Sequence, residues 1–265
     1  MNHRIVILAL CCAILPFKAS AQGTDNDLDS ALRGRIGAQV DKKIVKGLHV
    51  ALDGEIRTED NFSDIGRWQA GLSVSYKPRF LSFLKASVGG LYISNRNSAG
   101  EWKPRYRAYG DLMGTLKWGD WRFSLKERLQ LTHREVGNKF QSTPNALALK
   151  SRVKTSYKGL GAVEPYAFVE MRLALNDPAC TATWSGSSYT SYAFNGYSDT
   201  YLNRTRAAVG LEWSLSKQHA IDFYVLNDWC RDKNIDTNKE GTKLKSLTYD
   251  RQFLTSLGIG YSFSF

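Results

Sequence analysis

The sequence predicts an all-β fold, a transmembrane antiparallel up-and-down β-barrel of about twelve strands, with ten as the alternative number. Three observations predict it: an apolar N-terminal run before a small-residue tripeptide, apolar–polar alternation with period two, and a last strand that ends on Phe265. A soluble secreted β-domain is the alternative fold.

The N-terminus has the three parts of a secretory signal peptide. Arg4 supplies the positive start, residues 5–17 form the apolar run, and residues 19–21 read Ala-Ser-Ala, a cleavage site. The sequence therefore predicts a signal peptide over 1–21 and one barrel domain over 22–265.

Two cysteines in the apolar run, Cys11 and Cys12, raise the alternative of a lipoprotein signal. Cys11 follows the bulky Leu10, where a small residue is expected, so an ordinary secretory signal is favoured. The run is also shorter than the roughly 20 apolar residues of a membrane helix. Only helices and closed barrels satisfy their backbone in lipid, so a membrane protein of this sequence must be a barrel.

The formal net charge of +11 becomes +9 when Arg4 and Lys18 leave with the signal. A basic balance suits nucleic acid, lipopolysaccharide phosphates or acidic solutes, and export disfavours nucleic acid. We expect the outer membrane of a Gram-negative bacterium as the location. The expected partners are outer-membrane lipid and lipopolysaccharide, and the barrel-insertion machinery during assembly. Nothing in the sequence sets the oligomeric state.

Period-two alternation marks eleven strand segments. In one of them Ala207, Val209 and Leu211 alternate with Arg206 and Glu212. Segment lengths of about 10–13 residues suit a tilted crossing of about 9–11 residues, whereas soluble strands average about 5–6. The segments are 32–41, 48–57, 67–76, 84–92, 106–118, 121–131, 147–157, 163–175, 204–215, 221–225 and 253–265.

The connections alternate between short and long, as in transmembrane barrels. The short ones are Gly119-Asp120, 158–162 and 216–219, and the long ones are 94–105, 134–145, 176–201 and 227–246. This alternation gives the first and last strands the same direction, so they cannot pair antiparallel. A twelfth strand from 22–31 would repair the pairing, and ten strands is the alternative.

Aromatic residues cluster at both ends of these segments, as expected at headgroup depth. Tyr76, Trp118, Trp121, Tyr157 and Trp213 lie at the short turns, and Trp68, Tyr92, Tyr106 and Trp229 lie near the long loops. The two groups predict two aromatic girdles.

The C-terminal strand has apolar residues at every second position before a terminal aromatic carboxylate. These residues are Leu257, Ile259, Tyr261, Phe263 and Phe265. The pattern resembles the signal read by the barrel-insertion machinery of Gram-negative outer membranes.

Several short motifs resemble a family catalogued as domain of unknown function 2490. They are Glu55-Ile56-Arg57, Arg67, Arg128-Leu129-Gln130, Glu170, Arg204-Thr205-Arg206 and Gly210. The resemblance covers nearly the whole mature chain. It implies an outer-membrane barrel and supplies no activity.

The polar strand faces predict a lumen in which basic residues outnumber acidic ones. The basic residues are Arg33, Arg35, Arg57, Arg67, Arg107, Arg122, Lys126, Arg128, Lys150, Arg152, Lys154, Arg172, Arg204 and Arg206. The acidic residues are Asp53, Glu55, Asp111, Glu164, Glu170 and Glu212. One interpretation is a salt-bridged interior that keeps the barrel rigid, and the other is a basic constriction that selects anions.

No catalytic or metal motif stands out, and no cofactor is expected. A lipid-modifying enzyme of deacylase or phospholipase type needs a Ser or Thr nucleophile beside a histidine. His133, beside Thr132 and Glu135, is the weak candidate for a general base. Metal ligands at a suitable spacing are lacking.

Two function hypotheses therefore remain. The first is a passive barrel, either structural or a narrow channel for small anionic solutes, and the second is a lipid-modifying enzyme. Cys180 and Cys230 remain after signal cleavage and fall in two predicted long loops. Because the exported compartment is oxidising, we expect a disulfide between them.

Overall fold

The computed structural model describes residues 24–97, 99–186 and 188–265, with side chains from residue 30 onward. The predicted signal peptide, 1–21, lies outside the described residues. No helix in the described part of the chain is long and apolar enough to cross a membrane.

The described residues form strands joined by turns and loops. The strands are β1 (Thr24–Val45), β2 (Leu48–Glu59), β3 (Asp64–Tyr76), β4 (Leu84–Arg96), β5 (Trp102–Trp118), β6 (Trp121–Arg134), β7 (Asn145–Tyr157), β8 (Val163–Asp177), β9 (Cys180–Ser185), β10 (Ser188–Phe194), β11 (Asp199–Ser214), β12 (His219–Thr237) and β13 (Leu244–Ser264).

Eleven of these strands close into a barrel, in the order β1-β13-β12-β11-β8-β7-β6-β5-β4-β3-β2, while β9 and β10 form a separate two-stranded sheet. The predicted fold class is confirmed. The number of barrel strands lies between the ten and twelve expected from the sequence.

The barrel closes with an odd number of strands because its first and last strands, β1 and β13, are neighbours; we call this pair the seam. β1 and β13 run in the same direction and pair in parallel, with Leu32 opposite Thr255 and Asp41 opposite Ser264. A parallel ladder satisfies the backbone groups of both strands, so closure needs no further strand. The separate strand expected from 22–31 was wrong, since residues 24–31 are the first part of β1.

Exposure alternates along the barrel strands and separates the two faces. Large apolar side chains alternate with buried ones: Ile36 is 62% exposed and Val209 is 61% exposed, whereas Ala208 beside Val209 is 5% exposed. In a closed barrel the crowded face is the interior one. The outer surface is therefore apolar, and the polar residues of the alternating pattern point into the barrel.

The short turns agree with the sequence prediction. β5 and β6 are joined by Gly119 and Asp120 alone, and Gly119 has a φ of +57°, which a two-residue hairpin turn requires. Trp121 packs against Tyr157 at the same rim, with ring centroids 5.0 Å apart. At the opposite rim Tyr92 packs against Trp68 and Tyr106, with centroids 5.2 and 5.5 Å apart.

Two of the predicted long loops contain more structure than the sequence indicated. β12 continues to Thr237 and β13 begins at Leu244, so most of the expected loop 227–246 is strand. The expected loop 176–201 contains the β9–β10 hairpin. This hairpin packs against a small apolar cluster of Ile235, Leu244 and Leu247.

The loop between β6 and β7 also joins this outer assembly. Asn138 donates a hydrogen bond from Nδ2 to Thr237 Oγ1 at 3.2 Å, and Gln141 donates from Nε2 to Asp236 Oδ1 at 3.0 Å. Tyr197 donates from its hydroxyl to the Lys139 carbonyl at 2.8 Å. Three connections at this rim therefore hold one another in place.

The expected disulfide between Cys180 and Cys230 is wrong in this structure, where both thiols are free. Cys230 does not lie in a loop, because the ladder of β12 with β13 continues through it and pairs it with Gln252. Cys180 opens β9 and packs against the apolar cluster defined above. Burial there raises the pKa of the Cys180 thiol.

Two glycines, one on β11 and one on β13, each leave space on the interior face for the ring of a tyrosine on an adjacent strand. A Cβ at Gly210 would lie 2.7 Å from Tyr166, and a Cβ at Gly258 would overlap the ring of Tyr224. Both contacts involve registered neighbours, so each ring covers the glycine of an adjacent strand. The absence of a side chain at these positions is therefore a packing requirement.

We predict that Gly258→Ala destabilises the barrel by about 1–3 kcal/mol, because the added methyl group displaces the Tyr224 ring in a packed interior. The measurement is urea unfolding of the detergent-folded protein, followed by tryptophan fluorescence. Gly110→Ala is the matched control, since a Cβ there meets nothing within 4 Å. Equal losses for the two variants would contradict the packing argument.

Candidate functional site

The interior charges of the barrel are the candidate functional site, and all the basic and acidic residues predicted for the lumen lie on barrel strands. The strand register aligns them in two adjacent rows. One row is Asp111, Arg128, Lys150, Arg172 and Arg204, and the other is Lys126, Arg152, Glu170, Arg206 and Asp228.

Glu170 is the centre of the second row. Its carboxylate accepts ion pairs from Arg152 at 2.5 Å, Arg206 at 3.2 Å and Lys150 at 3.5 Å. These cations come from the strands on either side of β8, and the Glu170 side chain is only 5% exposed. A buried carboxylate is held in its charged form by such partners, so Glu170 links three strands.

Asp228 continues the network towards the parallel seam. It is ion-paired with Arg206 Nε, and its second oxygen lies 3.0 Å from Arg35 Nη2. Arg35 belongs to β1 and Asp228 to β12, so their contact reaches past β13, which lies between them. The result is a continuous series of ion pairs from β7 to β1.

A second group lies on β5 and β6. Arg128 donates from Nε and Nη2 to the two oxygens of Asp111 at 2.6 and 2.8 Å, and Lys126 lies 2.8 Å from the same carboxylate. A bidentate arginine–carboxylate pair fixes both orientation and distance. Arg128 also lies over the Tyr109 ring, 3.9 Å from its centroid.

The remaining predicted acids have local partners or none. Glu55 accepts from Arg57 Nε at 2.5 Å. At the short-turn rim, Glu164 pairs with Lys158 at 2.6 Å and with Arg122 at 4.0 Å. Arg33 approaches Glu59 at 3.9 Å. Among the described side chains, neither Asp53 nor Glu212 has an ion pair within 4.0 Å.

The aromatic residues of the interior face contact two more of the predicted cations. Arg152 lies 4.3 Å from the centroid of Phe168, and Lys154 lies 4.0 Å from that of Tyr166. The Tyr166 hydroxyl in turn donates to Asp222 at 2.9 Å. These contacts position the cations along one side of the lumen.

Five of the predicted cations, Arg67, Arg107, Lys154, Arg172 and Arg204, differ from the others. In the described part of the chain, no carboxylate lies within 4.0 Å of any of the five. Arg107 Nε donates to Thr132 Oγ1 at 3.0 Å, and Arg67 Nη2 donates to Gln69 Oε1 at 2.8 Å. The Nε atoms of Arg67 and Arg172 are buried without a hydrogen-bond partner.

Asp228 is the functional residue that sequence reasoning missed. The sequence pattern predicts a strand over 221–225 and a loop over 227–246, which would place Asp228 outside the lumen. The period-two pattern continues through Leu226, Asp228 and Cys230, which are all at most 5% exposed. Extending the alternation past the single polar residue Asn227 would have placed Asp228 on the interior face.

His133, the weak candidate for a general base, has no nucleophile beside it. Its Nδ1 lies 2.8 Å from Asn145 Oδ1, and the side chains are exposed at the rim. Within the described residues, no Ser or Thr hydroxyl is hydrogen-bonded to this ring. The geometry therefore offers no support for the activated-nucleophile chemistry of a lipid-modifying enzyme.

The closed ladder, apolar outer face and charged interior define a class, the transmembrane antiparallel β-barrels. The chain belongs to the family described as "Protein of unknown function (DUF2490)", whose model matches residues 36–239. The family resemblance seen in the sequence is thereby confirmed. A comparison with curated proteins gives no match.

Three solved structures show a similar fold. The NanC porin is 14% identical with a TM-score of 0.43, covering 87% of this chain and 97% of that one. OmpT of Vibrio cholerae is 13% identical with a TM-score of 0.34, covering 76% and 60%. An anion-selective porin from Comamonas acidovorans is 13% identical with a TM-score of 0.33, covering 81% and 58%.

We predict that Asp228→Asn destabilises the barrel by about 3–5 kcal/mol, because it leaves the charges of Arg35 and Arg206 buried without their carboxylate. Urea unfolding of the detergent-folded protein measures the loss. Glu212→Gln is the control on the same face and should cost less than about 1 kcal/mol, since no ion pair is broken. A small loss for Asp228→Asn would contradict the role of Asp228 in closing the network.

Proposed function

We propose that this chain is an outer-membrane channel with a basic lumen that passes small anionic solutes. The observation that carries the proposal is an interior cavity of about 210 Å³ lined by Lys126, Arg128, Lys150, Arg152 and Glu170. Four of these five side chains are cationic. Rings of arginine and lysine select anions in pores, because they replace part of the hydration that the ion loses.

The dimensions of the cavity support a small solute. Since a water molecule occupies about 30 Å³ of liquid volume, the space holds several waters or one small hydrated anion. Glu170 and Asp111 neutralise part of the positive charge. Partial neutralisation serves conduction, which requires binding strong enough for entry and weak enough for release.

The outer-membrane location rests on three features. They are the predicted signal peptide over 1–21, the apolar outer face of the barrel and the terminal Phe265. Phe265 stacks on Phe263 with ring centroids 5.3 Å apart, and its backbone is hydrogen-bonded to Asp41 and Lys43. The C-terminal strand is thus held against β1 at the short-turn rim, where the periplasmic side is expected.

We predict that the expressed protein sediments with the outer membrane and migrates differently on gels before and after heating, because a closed barrel resists detergent unfolding. Cell fractionation with gel electrophoresis measures both properties. The N-terminal residue of the mature protein should be Gln22. Recovery as a soluble periplasmic protein would overturn the membrane proposal.

We predict that the purified barrel conducts in planar bilayers and prefers chloride to potassium. Lys126→Gln should lower this preference by a factor of about 5, because one unit charge at 4 Å contributes about 1 kcal/mol even in water. The reversal potential in a potassium chloride gradient measures it.

Lys117→Gln is the matched control for the conductance experiment. Lys117 lies on β5 near the short-turn rim and does not line the cavity, so its replacement should change the preference little. A barrel without conductance would overturn the channel and leave the structural interpretation of the charged lumen. A cation preference would overturn the proposed class of solute.

A further inference from the structure

Four lumen arginines, Arg67, Arg107, Arg172 and Arg204, lack a carboxylate within 4.0 Å in the described structure, and Arg204 is paired with Arg172 in the strand register. We infer that Arg67, Arg107 and Arg172 form a binding site for an organic solute carrying two or more oxyanion groups, either carboxylate or phosphate. The inference deepens the proposed channel function and rests on it for the route by which the solute arrives. The binding site itself depends only on the positions of the arginine side chains and not on conduction.

The guanidinium groups of these arginines converge in the lumen. Arg107 projects from β5 and interacts electrostatically with Arg57 on β2, Arg172 on β8 and Arg206 on β11. Arg67 on β3 interacts with Arg57 and Arg107. Around the ring, two strands lie between β5 and β2, two between β5 and β8, and three between β5 and β11. The side chains therefore approach one another across the lumen and not along one wall.

Negative charge is scarce around these arginines. Glu55 interacts with Arg67, but Arg57 already holds its Oε1 at 2.5 Å. Asp111 and Glu170 are each occupied by two or more cations in the network described above. Asp232 interacts with Arg172, yet no described carboxylate lies within 4.0 Å of Arg67, Arg107 or Arg172.

Some of these arginines have buried Nε donors without a hydrogen-bond acceptor. The Nε atoms of Arg67, Arg172 and Arg204 are inaccessible to solvent and donate to nothing in the described structure. The same is true of Arg33 and Arg35, but each of these two has a carboxylate within 4.0 Å. A buried unsatisfied donor costs free energy, and a charged one costs more. A bound anion that supplies the acceptor is one explanation for such groups in a folded protein.

The class of ligand follows from the geometry of arginine. Each guanidinium presents a planar fork that matches a carboxylate or a phosphate oxygen pair. A single small oxyanion can engage the fork of one or two arginines. Since these arginines project from opposite walls, a solute with two separated oxyanion groups satisfies more of the donors. We therefore expect dianions to bind more tightly than monoanions.

A ligand site at Arg107 predicts an effect on stability that a purely structural role of this arginine would not have. Removing a charge from a group of mutually repelling arginines relieves repulsion, so Arg107→Gln should raise the thermal midpoint of the ligand-free barrel. The same type of change at Asp228, which is surrounded by cations, lowers it. A higher thermal midpoint for Arg107→Gln and a lower one for Asp228→Asn would distinguish the ligand site from the structural ion-pair network.

The experiment is thermal unfolding of the full-length mature barrel in detergent at constant ionic strength and pH 7. The probes are succinate, pyrophosphate and acetate, each titrated against chloride. Succinate or pyrophosphate, which carry two oxyanion groups, should raise the unfolding midpoint of the wild type in a saturable way, and acetate should act like chloride. Saturation by succinate alone identifies carboxylates, and saturation by pyrophosphate alone identifies phosphate groups.

Two variants make the test specific. Arg107→Gln should weaken binding of the effective probe at least tenfold. Arg122→Gln is the matched control, since Arg122 lies on the interior face at the short-turn rim near Glu164. It should bind the probe as the wild type does. Equal weakening in both variants, or a lower ligand-free midpoint for Arg107→Gln than for the wild type, would overturn the site.

The outcomes also separate this site from the channel. Saturable binding by a barrel that does not conduct would support the site and overturn the channel. Anion-selective conductance without saturable binding of succinate or pyrophosphate would support the channel and overturn the site.

Discussion

Closure of the backbone hydrogen-bond ladder is the constraint on which the rest of the structure depends. An open sheet in lipid would expose a row of unpaired amide and carbonyl groups at each edge, and each group would cost several kcal/mol. The chain meets this constraint with eleven strands by pairing β1 and β13 in parallel. Once the ladder is closed, the period-two pattern has only one arrangement, with apolar side chains outside and charged side chains in the interior.

The charged interior then has to be compatible with burial. Glu170 and Asp228 neutralise cations of β7, β11 and β1, and Arg35 carries the network past β13 to β1. The seam is where the strands are joined by the less common parallel ladder, and an ion pair spans it from the inside. Backbone closure and side-chain neutralisation therefore support each other at the same place, which explains why the long arginine side chain and not a shorter residue lies at position 35.

Neutralisation is nevertheless incomplete. Arg128 and Arg152 hold carboxylates and also contact aromatic rings, so they are fixed in position. Arg67, Arg107, Arg172 and Arg204 have no carboxylate within 4.0 Å among the described residues. Replacing buried ionic groups by apolar ones is often neutral or stabilising, so rigidity alone does not require these charges. This shortage of carboxylates is the basis of the proposed oxyanion site.

The sequence by itself determined the barrel, its two rims and most of the interior charges, because a side-chain period of two is a local property that any strand displays. It could not determine the strand number, since parallel pairing at the seam depends on which chain ends meet in space. Asp228 was missed for a local reason: the single polar residue Asn227 on the outer face interrupts the pattern, and the ladder with β13 shows that β12 continues past it. The same continuation placed Cys230 in the wall and excluded the expected disulfide. Which cations are neutralised was decided by tertiary structure alone, because partners such as Arg35 and Asp228 are far apart in the chain and meet only across the closed barrel.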